Sequence, residues 1–342
     1  MNRPLIVATS KIHTEVVELL SLHGDVVANV NDEPWAVDRL SSELREARAV
    51  MAFMPDRVDN AFLEAAPNLE IVACALKGFD NFDVATCTAR GVWVSIVEDL
   101  LTDPTAELTV GLMIGLARHI MSGDVEVRRS FDGWRPRFYG TGLSGSCIGL
   151  LGMGAIGQAL AKRLRGFGSE IVYWDRNRLS PQSEADHGVT FAEFNQVVAK
   201  STFLISALPL TTETRHMVDA AVLAAMPGGA FLVNPSRGSV VDEAAVADAL
   251  ESGRIAGYAA DVFEMEDWAI DDRPRQIEPR LLAMPDRTLF TPHLGSAVQH
   301  IRLAIEMDAA ANIIDVLEGR RPRGAINDPV GLSRRRAAQV SC

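Results

Sequence analysis

The segment Leu-Gly-Met-Gly-Ala-Ile-Gly at residues 151–157 constrains the fold of this chain more than any other feature of the sequence. An apolar run, Cys147–Leu151, precedes it, and residues 155–167 carry apolar side chains at helical spacing. Three glycines spaced G-x-G-x-x-G between a strand and a helix predict a tight turn that opens the helix. A second predicted strand ends at Asp175, 18 positions after Gly157, which completes the pattern of a dinucleotide-binding unit.

Each part of this turn has a predicted role. Gly152 permits the tight turn, Gly154 lets the backbone approach a pyrophosphate, and Gly157 lets helix and strand pack closely. The free N–H groups of Ala155 and Ile156 at the helix N-terminus would bind the diphosphate. The alternative is a glycine-rich turn without a ligand, and the flanking strand, helix and acidic residue argue against it.

Asp175 predicts the choice of cofactor. Its carboxylate would accept hydrogen bonds from the adenosine ribose and repel a 2′-phosphate, which favours NAD over NADP. Arg176 complicates this prediction, because a guanidinium can pair with a 2′-phosphate. A solvated surface arginine, or one stacked on adenine, is the other interpretation of Arg176. We expect NAD as the cofactor and leave the extent of NADP use open.

Short β-branched apolar runs alternate with longer amphipathic stretches along the chain, which predicts parallel strands connected by helices. The strands predicted in the first third are residues 5–9, 25–29, 49–53, 70–74 and 92–95. Those predicted in the second series are residues 147–151, 170–174, 202–207, 230–234, 257–260 and 288–290. Two long helices are predicted at residues 104–129 and 297–317.

This pattern predicts an α/β fold with two doubly wound, Rossmann-like or flavodoxin-like parallel-sheet domains joined by the two long helices crossing between them. We predict a substrate domain of residues 1–103 plus 296–330 and an NAD-binding domain of residues 104–295. Residues 331–342 lack apolar periodicity and are predicted to be a mobile tail.

The composition excludes several classes of function. The formal net charge is −12, and such an acidic surface repels phosphates, so we expect no nucleic-acid partner. The cysteines form no CxxC pair, which indicates neither a zinc site nor a redox motif and favours a reducing compartment. The sequence start lacks a signal-peptide core, and the longest apolar run is shorter than the ~20 residues of a membrane span. We therefore expect a cytoplasmic protein without a metal or a membrane partner.

Polar residues follow several predicted strands of the second series, where open α/β sheets bind ligands. Arg237 stands in Asn-Pro-Ser-Arg-Gly, Asp261 and Glu266 in Ala-Asp-Val-Phe-Glu-Met-Glu-Asp, and His293 in Thr-Pro-His-Leu-Gly-Ser. Arg237 can bind an anion, His293 can move a proton near neutral pH, and Glu266 can orient the imidazole. Each residue alone also fits a structural role. Together, downstream of the dinucleotide motif, they favour hydride transfer.

Residues 152–157, 234–238, 261–266 and 292–295 resemble the D-isomer-specific 2-hydroxyacid dehydrogenase family, and the likeness extends to about residue 329. It implies a homodimer that uses NAD, with Arg237, Glu266 and His293 in the active site. Asp261 resembles the residue that binds the nicotinamide amide. The other positions that match cofactor contacts of the family are Leu101, Thr105, Ala207, Leu208, Pro209, Pro235, Ser236 and Gly295.

Residues 51–59, 74–83, 137–142 and 262–268 resemble, more specifically, the phosphonate (phosphite) dehydrogenases of that family. Lys77, which ordinary members usually lack, would add a second cation beside Arg237. Phosphite spreads up to two negative charges over three oxygens, and two cations could balance that charge. The alternative is a surface pair of Lys77 with Asp80 or Asp83.

We therefore expect oxidation of phosphite to phosphate with reduction of NAD⁺, in which His293 takes a proton from the attacking water. The residues expected to bind the substrate are Lys77, Gly78, Met54, Trp134, Tyr139, Ser296 and Arg302. Two alternatives stay open. The first is a D-2-hydroxyacid dehydrogenase or 2-keto acid reductase, which shares the same catalytic residues. The second is a corepressor of the C-terminal-binding type, which uses this fold as an NAD-gated interaction module.

Overall fold

The structure, a computed structural model, describes residues 3–97 and 99–329, and these divide into two compact units. The first unit runs to Leu100 and resumes at Val298, and the second is continuous from Leu101 to Ala297. The predicted boundaries at 103/104 and 295/296 lie within three residues of these points. The tail predicted over 331–342 lies outside the described residues.

The first unit is built on a five-stranded parallel sheet with the strand order β2-β1-β3-β4-β5. Its strands are β1 (Leu5–Ala8), β2 (Asp25–Ala28), β3 (Ala47–Ala52), β4 (Ile71–Cys74) and β5 (Trp93–Ser95). Its helices are α1 (Thr14–Ser21), α2 (Val37–Leu44), α3 (Asn60–Ala65), α4 (Val84–Ala89) and α13 (Gln299–Leu317). The central strands are buried along almost their whole length, as expected for parallel strands covered on both faces.

The second unit contains a seven-stranded parallel sheet with the order β12-β11-β10-β9-β6-β7-β8. Its strands are β6 (Cys147–Leu151), β7 (Glu170–Trp174), β8 (Thr190–Phe191), β9 (Phe203–Ser206), β10 (Ala230–Asn234), β11 (Ile255–Ala260) and β12 (Thr288–Phe290). Its helices are α5 (Thr102–Ala117), α6 (Ile120–Ser130), α7 (Ala155–Leu164), α8 (Pro181–His187), α9 (Phe194–Lys200), α10 (Ala220–Ala225), α11 (Glu243–Glu251) and α12 (Pro279–Leu282). The sequence pattern missed β8, because two residues are too few to show a periodicity.

The strand order of the second unit reverses at β6, which has β7 on one side and β9 on the other. Such a reversal leaves a crevice outside the carboxyl ends of the strands, where open α/β sheets bind their ligands. The glycine turn of the sequence follows β6 and therefore lies at this point. The predicted fold class, two doubly wound parallel-sheet domains, is confirmed.

The single helix predicted over residues 104–129 is wrong in one respect, because the structure divides it into α5 and α6. His119 takes a left-handed conformation (φ 53°), which ends the helical path between the two. Thr141 N–H donates to the Ala117 carbonyl (2.9 Å), which satisfies a backbone group at the end of α5. Neither these two helices nor any other within the described ranges is long and apolar enough to cross a membrane.

Candidate active site

The glycine turn after β6 has the geometry that a dinucleotide requires. Gly152 has a φ of 102°, and a Cβ there would lie 2.5 Å from the Ala207 carbonyl oxygen. A Cβ at Gly157 would lie 2.4 Å from the Gly152 carbonyl oxygen, so close packing excludes any side chain. Gly154 differs, since nothing lies within 4 Å of a Cβ built there. The turn is therefore tight where it packs and open where a pyrophosphate would approach, so these residues fit NAD.

The N-terminus of α7 follows this opening. Ala155 is exposed and Ile156 half-buried, and the first N–H groups of a helix have no partner within the helix. Such a helix start favours an anion through its free N–H groups and its dipole.

Asp175 follows β7 and accepts two backbone hydrogen bonds. Its Oδ2 accepts from Met153 N–H and its Oδ1 from Asn177 N–H, both at 2.8 Å. Arg176 is exposed. A hydrogen bond from Thr211 is the main cause that lowers the pKa of Glu213, and the charge of Arg176 contributes. The cation Arg176 thus follows Asp175 directly in the chain, and the choice between NAD and NADP stays a prediction.

The turn after β9 packs against the glycine turn. Ala207 N–H donates to the Leu151 carbonyl (2.8 Å), and Leu208 is buried. The Pro209 carbonyl accepts a hydrogen bond from Thr214 Oγ1 (2.6 Å). Ala207 and Leu208 therefore lie next to the glycine turn, where a Cβ at Gly152 would be 2.5 Å from the Ala207 carbonyl oxygen and 3.3 Å from Leu208 Cδ2.

A second group of predicted cofactor residues lies near the start of α5, where Leu101 is the N-cap residue. A Cβ at Gly295 would lie 3.0 Å from Thr105 Oγ1 and 3.2 Å from Asp261 Oδ2. Thr105 and Asp261 are therefore brought together around Gly295, although they lie far apart in sequence.

His293 and Glu266 form a direct pair. His293 Nδ1 lies 2.8 Å from Glu266 Oε2, and Glu266 Oε1 accepts from Phe263 N–H (2.9 Å). His293 follows β12 in a left-handed conformation (φ 56°), a strained state typical of functional positions. Because Nδ1 faces the carboxylate, Nε2 is the ring nitrogen left to exchange a proton.

Asp261 fixes the loop that carries His293. Its side chain is 1% exposed, and its Oδ1 accepts from Thr291 Oγ1 (2.5 Å) and Leu294 N–H (2.7 Å). Its Oδ2 accepts from Gly295 N–H (2.8 Å). Burial raises the pKa of Asp261, and these hydrogen bonds oppose that rise. Its predicted contact with the nicotinamide amide stays a prediction, whereas its role in shaping this loop is observed.

Arg237 lies in the loop after β10, and the side chain of Asn234 holds this loop by hydrogen bonds to its backbone. Asn234 Nδ2 donates to the Arg237 carbonyl (2.9 Å), and Asn234 Oδ1 accepts from Ser236 N–H (3.1 Å). Arg237 Nη1 donates to the Ser236 carbonyl (2.9 Å), and Pro235 lies between Asn234 and Ser236. A Cβ at Gly238 would lie 1.9 Å from the Phe263 carbonyl carbon. The loops that carry Arg237 and Glu266 are therefore in direct contact.

Two buried acids, Glu243 and Glu264, stand beside Glu266, and neither was among the predicted site residues. Glu264 N–H donates to Glu243 Oε1 (2.8 Å), and Glu243 N–H donates to Glu264 Oε1 (3.0 Å). His216 Nε2 lies 2.8 Å from Glu264 Oε2, and burial raises the pKa of Glu243. The reciprocal hydrogen bonds between Glu243 and Glu264 hold the 3-10 turn Glu264–Glu266 in place. The sequence shows Glu243 directly after Asp242, the N-cap of α11, and this was the only hint of its role. That its charge is buried cannot be seen in a sequence.

Two cations stand at the carboxyl ends of β3 and β4 in the first unit. Lys77 Nζ lies 2.9 Å from Asp99 Oδ1, and the lysine side chain is 40% exposed. Asp99 is a partner that the sequence analysis, which considered Asp80 and Asp83, did not name. Arg302 on α13 donates through Nη1 to the Ala75 carbonyl (3.4 Å), two residues before Lys77.

The remaining predicted substrate residues are placed as follows. Gly78 and Met54 are half-buried in the first unit, and Asn81 Nδ2 donates to the Met54 carbonyl (3.2 Å). In the second unit Ser296 is half-buried, whereas Trp134 and Tyr139 are 75% and 76% exposed. Their roles with substrate stay predictions.

Within residues 3–97 and 99–329, no group of three or more His, Cys, Asp or Glu side chains is arranged to hold a metal ion.

Comparison with known proteins identifies the family of this chain. Residues 110–295 match the family model described as D-isomer specific 2-hydroxyacid dehydrogenase, NAD binding domain. Glyoxylate reductase of Thermococcus litoralis is 38% identical over 96% of this chain and 98% of its own length. Glyoxylate reductase of Aeropyrum pernix is 36% identical over the same shares.

Solved structures agree. The NADPH-dependent glyoxylate/hydroxypyruvate reductase of Sinorhizobium meliloti, in complex with NADP and malonate, superposes with a TM-score of 0.80. It is 29% identical, and the match covers 95% of this chain and 97% of the other. The turn at β6, the paired His293 and Glu266, and these full-length likenesses lead to one conclusion. The chain belongs to the D-isomer-specific 2-hydroxyacid dehydrogenase family, as an NAD-dependent oxidoreductase.

Proposed function

We propose that this protein transfers a hydride between a small oxyanion and NAD, with His293 moving the proton and Arg237 binding the anion. The observation that carries the proposal is the 2.8 Å pair of His293 and Glu266 in the NAD-binding unit. A carboxylate on Nδ1 holds the imidazole in one tautomer and stabilises its protonated form, which a proton-transferring group needs. An interaction module would not need such a pair, so the pair supports an enzyme over the corepressor alternative.

Bound NAD⁺ supplies the hydride acceptor, and this chain's residues do the rest. Arg237 binds an oxyanion with paired N–H donors. Asp261 holds the loop of His293 in place, so that Nε2 reaches the reacting oxygen without a costly rearrangement. Glu266 offsets the positive charge that forms on the imidazole when it takes the proton.

For the substrate we propose phosphite, oxidised to phosphate. The P–H bond breaks and its electron pair leaves as hydride, a water oxygen bonds to phosphorus, and His293 takes a proton from that water. Lys77, the Gly78 backbone and Arg302, all in the first unit, would bind the phosphite oxygens. Two charges on three oxygens require more cations than one carboxylate does, and Lys77 with Arg302 supplies them.

Reduction of glyoxylate or another 2-keto acid is the second candidate, and the names of the relatives support it better than they support phosphite oxidation. In that reaction Arg237 would hold the carboxylate and protonated His293 would give its proton to the carbonyl oxygen. Members of one fold family act on different substrates, so overall identity does not fix the substrate.

NADH absorbance separates the two candidates. Phosphite with NAD⁺ should produce NADH, whereas glyoxylate with NADH should consume it slowly. D-Glycerate with NAD⁺ serves as the ordinary hydroxyacid control. Rapid glyoxylate reduction without any phosphite oxidation would establish the second candidate, and failure of every pair would refute the enzyme proposal.

We propose that NAD is preferred over NADP because Asp175 stands where the ribose would bind. Asp175→Ala should raise the ratio of kcat/KM for NADP⁺ to that for NAD⁺ by about tenfold, since a carboxylate no longer repels the 2′-phosphate. Arg176→Ala is the paired variant and should lower the same ratio. An unchanged ratio in Asp175→Ala would place this carboxylate away from the ribose.

We also propose a homodimer, as the family implies. None of the residues of α6 is buried, yet the helix carries Ile120, Met121, Val125 and Val127 on the surface. An exposed apolar patch of this kind marks an interaction site, and a second copy of the chain would cover it. Sedimentation equilibrium tests the proposal. Val125→Lys should shift the protein toward a monomer, and a monomeric wild type would refute the dimer.

A further inference from the structure

We infer that Glu306 is a positioning residue for the oxyanion site, which holds the Arg302 guanidinium beside the loop that carries Lys77. The inference rests on the proposed function, because it takes Lys77 and Arg302 as anion-binding groups. No motif in the sequence singled out Glu306.

The carboxylate of Glu306 is buried within the first unit. The residue lies on α13 with 3% of its surface exposed, and a buried charge needs partners because its desolvation is costly. Its Oε2 accepts from His13 N–H (2.9 Å) and lies 2.8 Å from His13 Nδ1. Its Oε1 lies 3.8 Å from Arg302 Nη2. One carboxylate therefore joins the start of α1 to the Arg302 guanidinium.

Arg302 lies one helical turn before Glu306. Its guanidinium carbon is 5.8 Å from the centroid of the Phe53 ring, and its Nη1 donates to the Ala75 carbonyl. Burial lowers the pKa of Arg302, and the charge of Glu306 opposes that change. Arginine stays protonated in either case, so the carboxylate acts on the orientation of the guanidinium rather than on its charge.

The contacts of this pair lie at one edge of the sheet. His13, Phe53 and Ala75 follow β1, β3 and β4, which are adjacent in the strand order. The carboxyl ends of parallel strands are where such sheets bind ligands, and Lys77 stands at the same ends. Glu306 therefore fixes a cation at the edge where the proposed anion would bind.

Two simpler roles of Glu306 predict different outcomes. As a mere counter-charge, it would weaken anion binding, so its neutralisation would tighten binding. As a mere tie between α1 and α13, it would affect stability alone. A positioning role predicts weaker binding after neutralisation, because a released guanidinium must be ordered again by the anion. The sign of the change in anion affinity distinguishes all three.

The test uses Glu306→Gln in the full-length protein. Calorimetry measures binding of phosphite to the enzyme–NADH complex and of glyoxylate to the enzyme–NAD⁺ complex, since neither combination can turn over. We expect about tenfold weaker binding of the anion that serves as substrate, with NADH affinity unchanged. Asp315→Asn is the matched control: it removes another buried carboxylate of α13, one that pairs with Arg320, and should leave anion binding unchanged.

Unchanged or tighter anion binding in Glu306→Gln would overturn the inference. If that variant does not fold, Glu306→Asp replaces it, because it keeps the charge but draws it away from Arg302, and it should also weaken binding. If the wild type turns over neither substrate but Glu306→Gln still weakens anion binding, the proposed function is refuted and the positioning role stands. A wild type that binds neither anion would overturn both.

Discussion

The two units hold their proposed functional residues in different ways. In the second unit, buried acids and backbone hydrogen bonds fix the loops of Arg237, Glu266 and His293. In the first unit, Lys77 is 40% exposed and pairs with Asp99, which is 75% exposed. An exposed pair of this kind contributes little to stability.

This difference separates the two parts of the proposed function, proton transfer in the second unit and anion recognition in the first. Proton transfer needs atoms held within a fraction of an ångström, so the acid–base pair belongs on loops that hydrogen bonds hold rigid. In the first unit, an exposed cation such as Lys77 can change at little cost in stability, whereas Arg302 is held by the buried Glu306. We propose that the second unit carries the chemistry that the family shares and that the first selects the substrate.

His293→Asn tests the rigid unit with the largest expected effect. Loss of the proton-transferring group should lower kcat by about 10³-fold, within the range for general acid–base catalysis. NADH affinity, measured by fluorescence titration, should stay unchanged because the glycine turn is intact. Retained turnover would show that another group moves the proton.

Gly238→Ala tests how tightly the catalytic loops pack. A Cβ at this position would lie 1.9 Å from the Phe263 carbonyl carbon, so the backbone must shift, and we expect a loss of about 3 kcal/mol in unfolding free energy. Gly154→Ala is the control, since open space surrounds that position. It should weaken NAD binding and leave the urea midpoint nearly unchanged. Equal stability of both variants would contradict the rigid packing.

Lys77→Ala tests the first unit. Loss of a charge-assisted contact of about 2 kcal/mol should lower kcat/KM for phosphite about 30-fold, while the melting temperature stays the same because the pair is exposed. Asp99→Asn keeps the lysine and should change kcat/KM by less than about threefold. A near-normal kcat/KM in Lys77→Ala would remove this lysine from the site.

Asp56→Asn has the smallest expected effect, a change in the pH dependence of stability. Asp56 lies in the loop that carries Met54. Burial is the main cause that raises the pKa of Asp56 to about 6, against hydrogen bonds from Thr9 and Phe53. The folded state binds this proton more tightly than the unfolded state, whose carboxyl has a pKa of about 3.9. Stability should therefore fall as pH rises from about 4 to 6.

Asparagine does not titrate, so Asp56→Asn should flatten this part of the pH profile. At pH above about 7 the variant should be more stable than the wild type by about 1 kcal/mol. This is less than the full pKa difference implies, because Asp56 is partly exposed and solvent screens its charge. Urea unfolding at several pH values measures the difference. Parallel pH profiles for both proteins would show that Asp56 does not titrate in this window.

Local patterns account for what the sequence predicted correctly. Alternating strands and helices identified two parallel sheets, because each strand and helix shows its periodicity over a few neighbouring residues. The glycine motif located the tight turn after β6 for the same reason. Motifs after the strands also placed Arg237, Glu266 and His293 at strand ends, and the structure brings the last two to 2.8 Å.

Contacts between distant residues required the tertiary structure. The break at His119 leaves the apolar spacing intact, so periodicity could not reveal it. The exchange between Glu243 and Glu264, and the partnership of Glu306 with His13 across 293 positions, depend on which charges folding buries. A buried charge is costly unless a partner compensates its lost hydration, and that partner can lie anywhere in the sequence. The sequence by itself thus determined the layers and the glycine turn and suggested the reacting groups, and only the tertiary structure decided which side chains hold those groups in place.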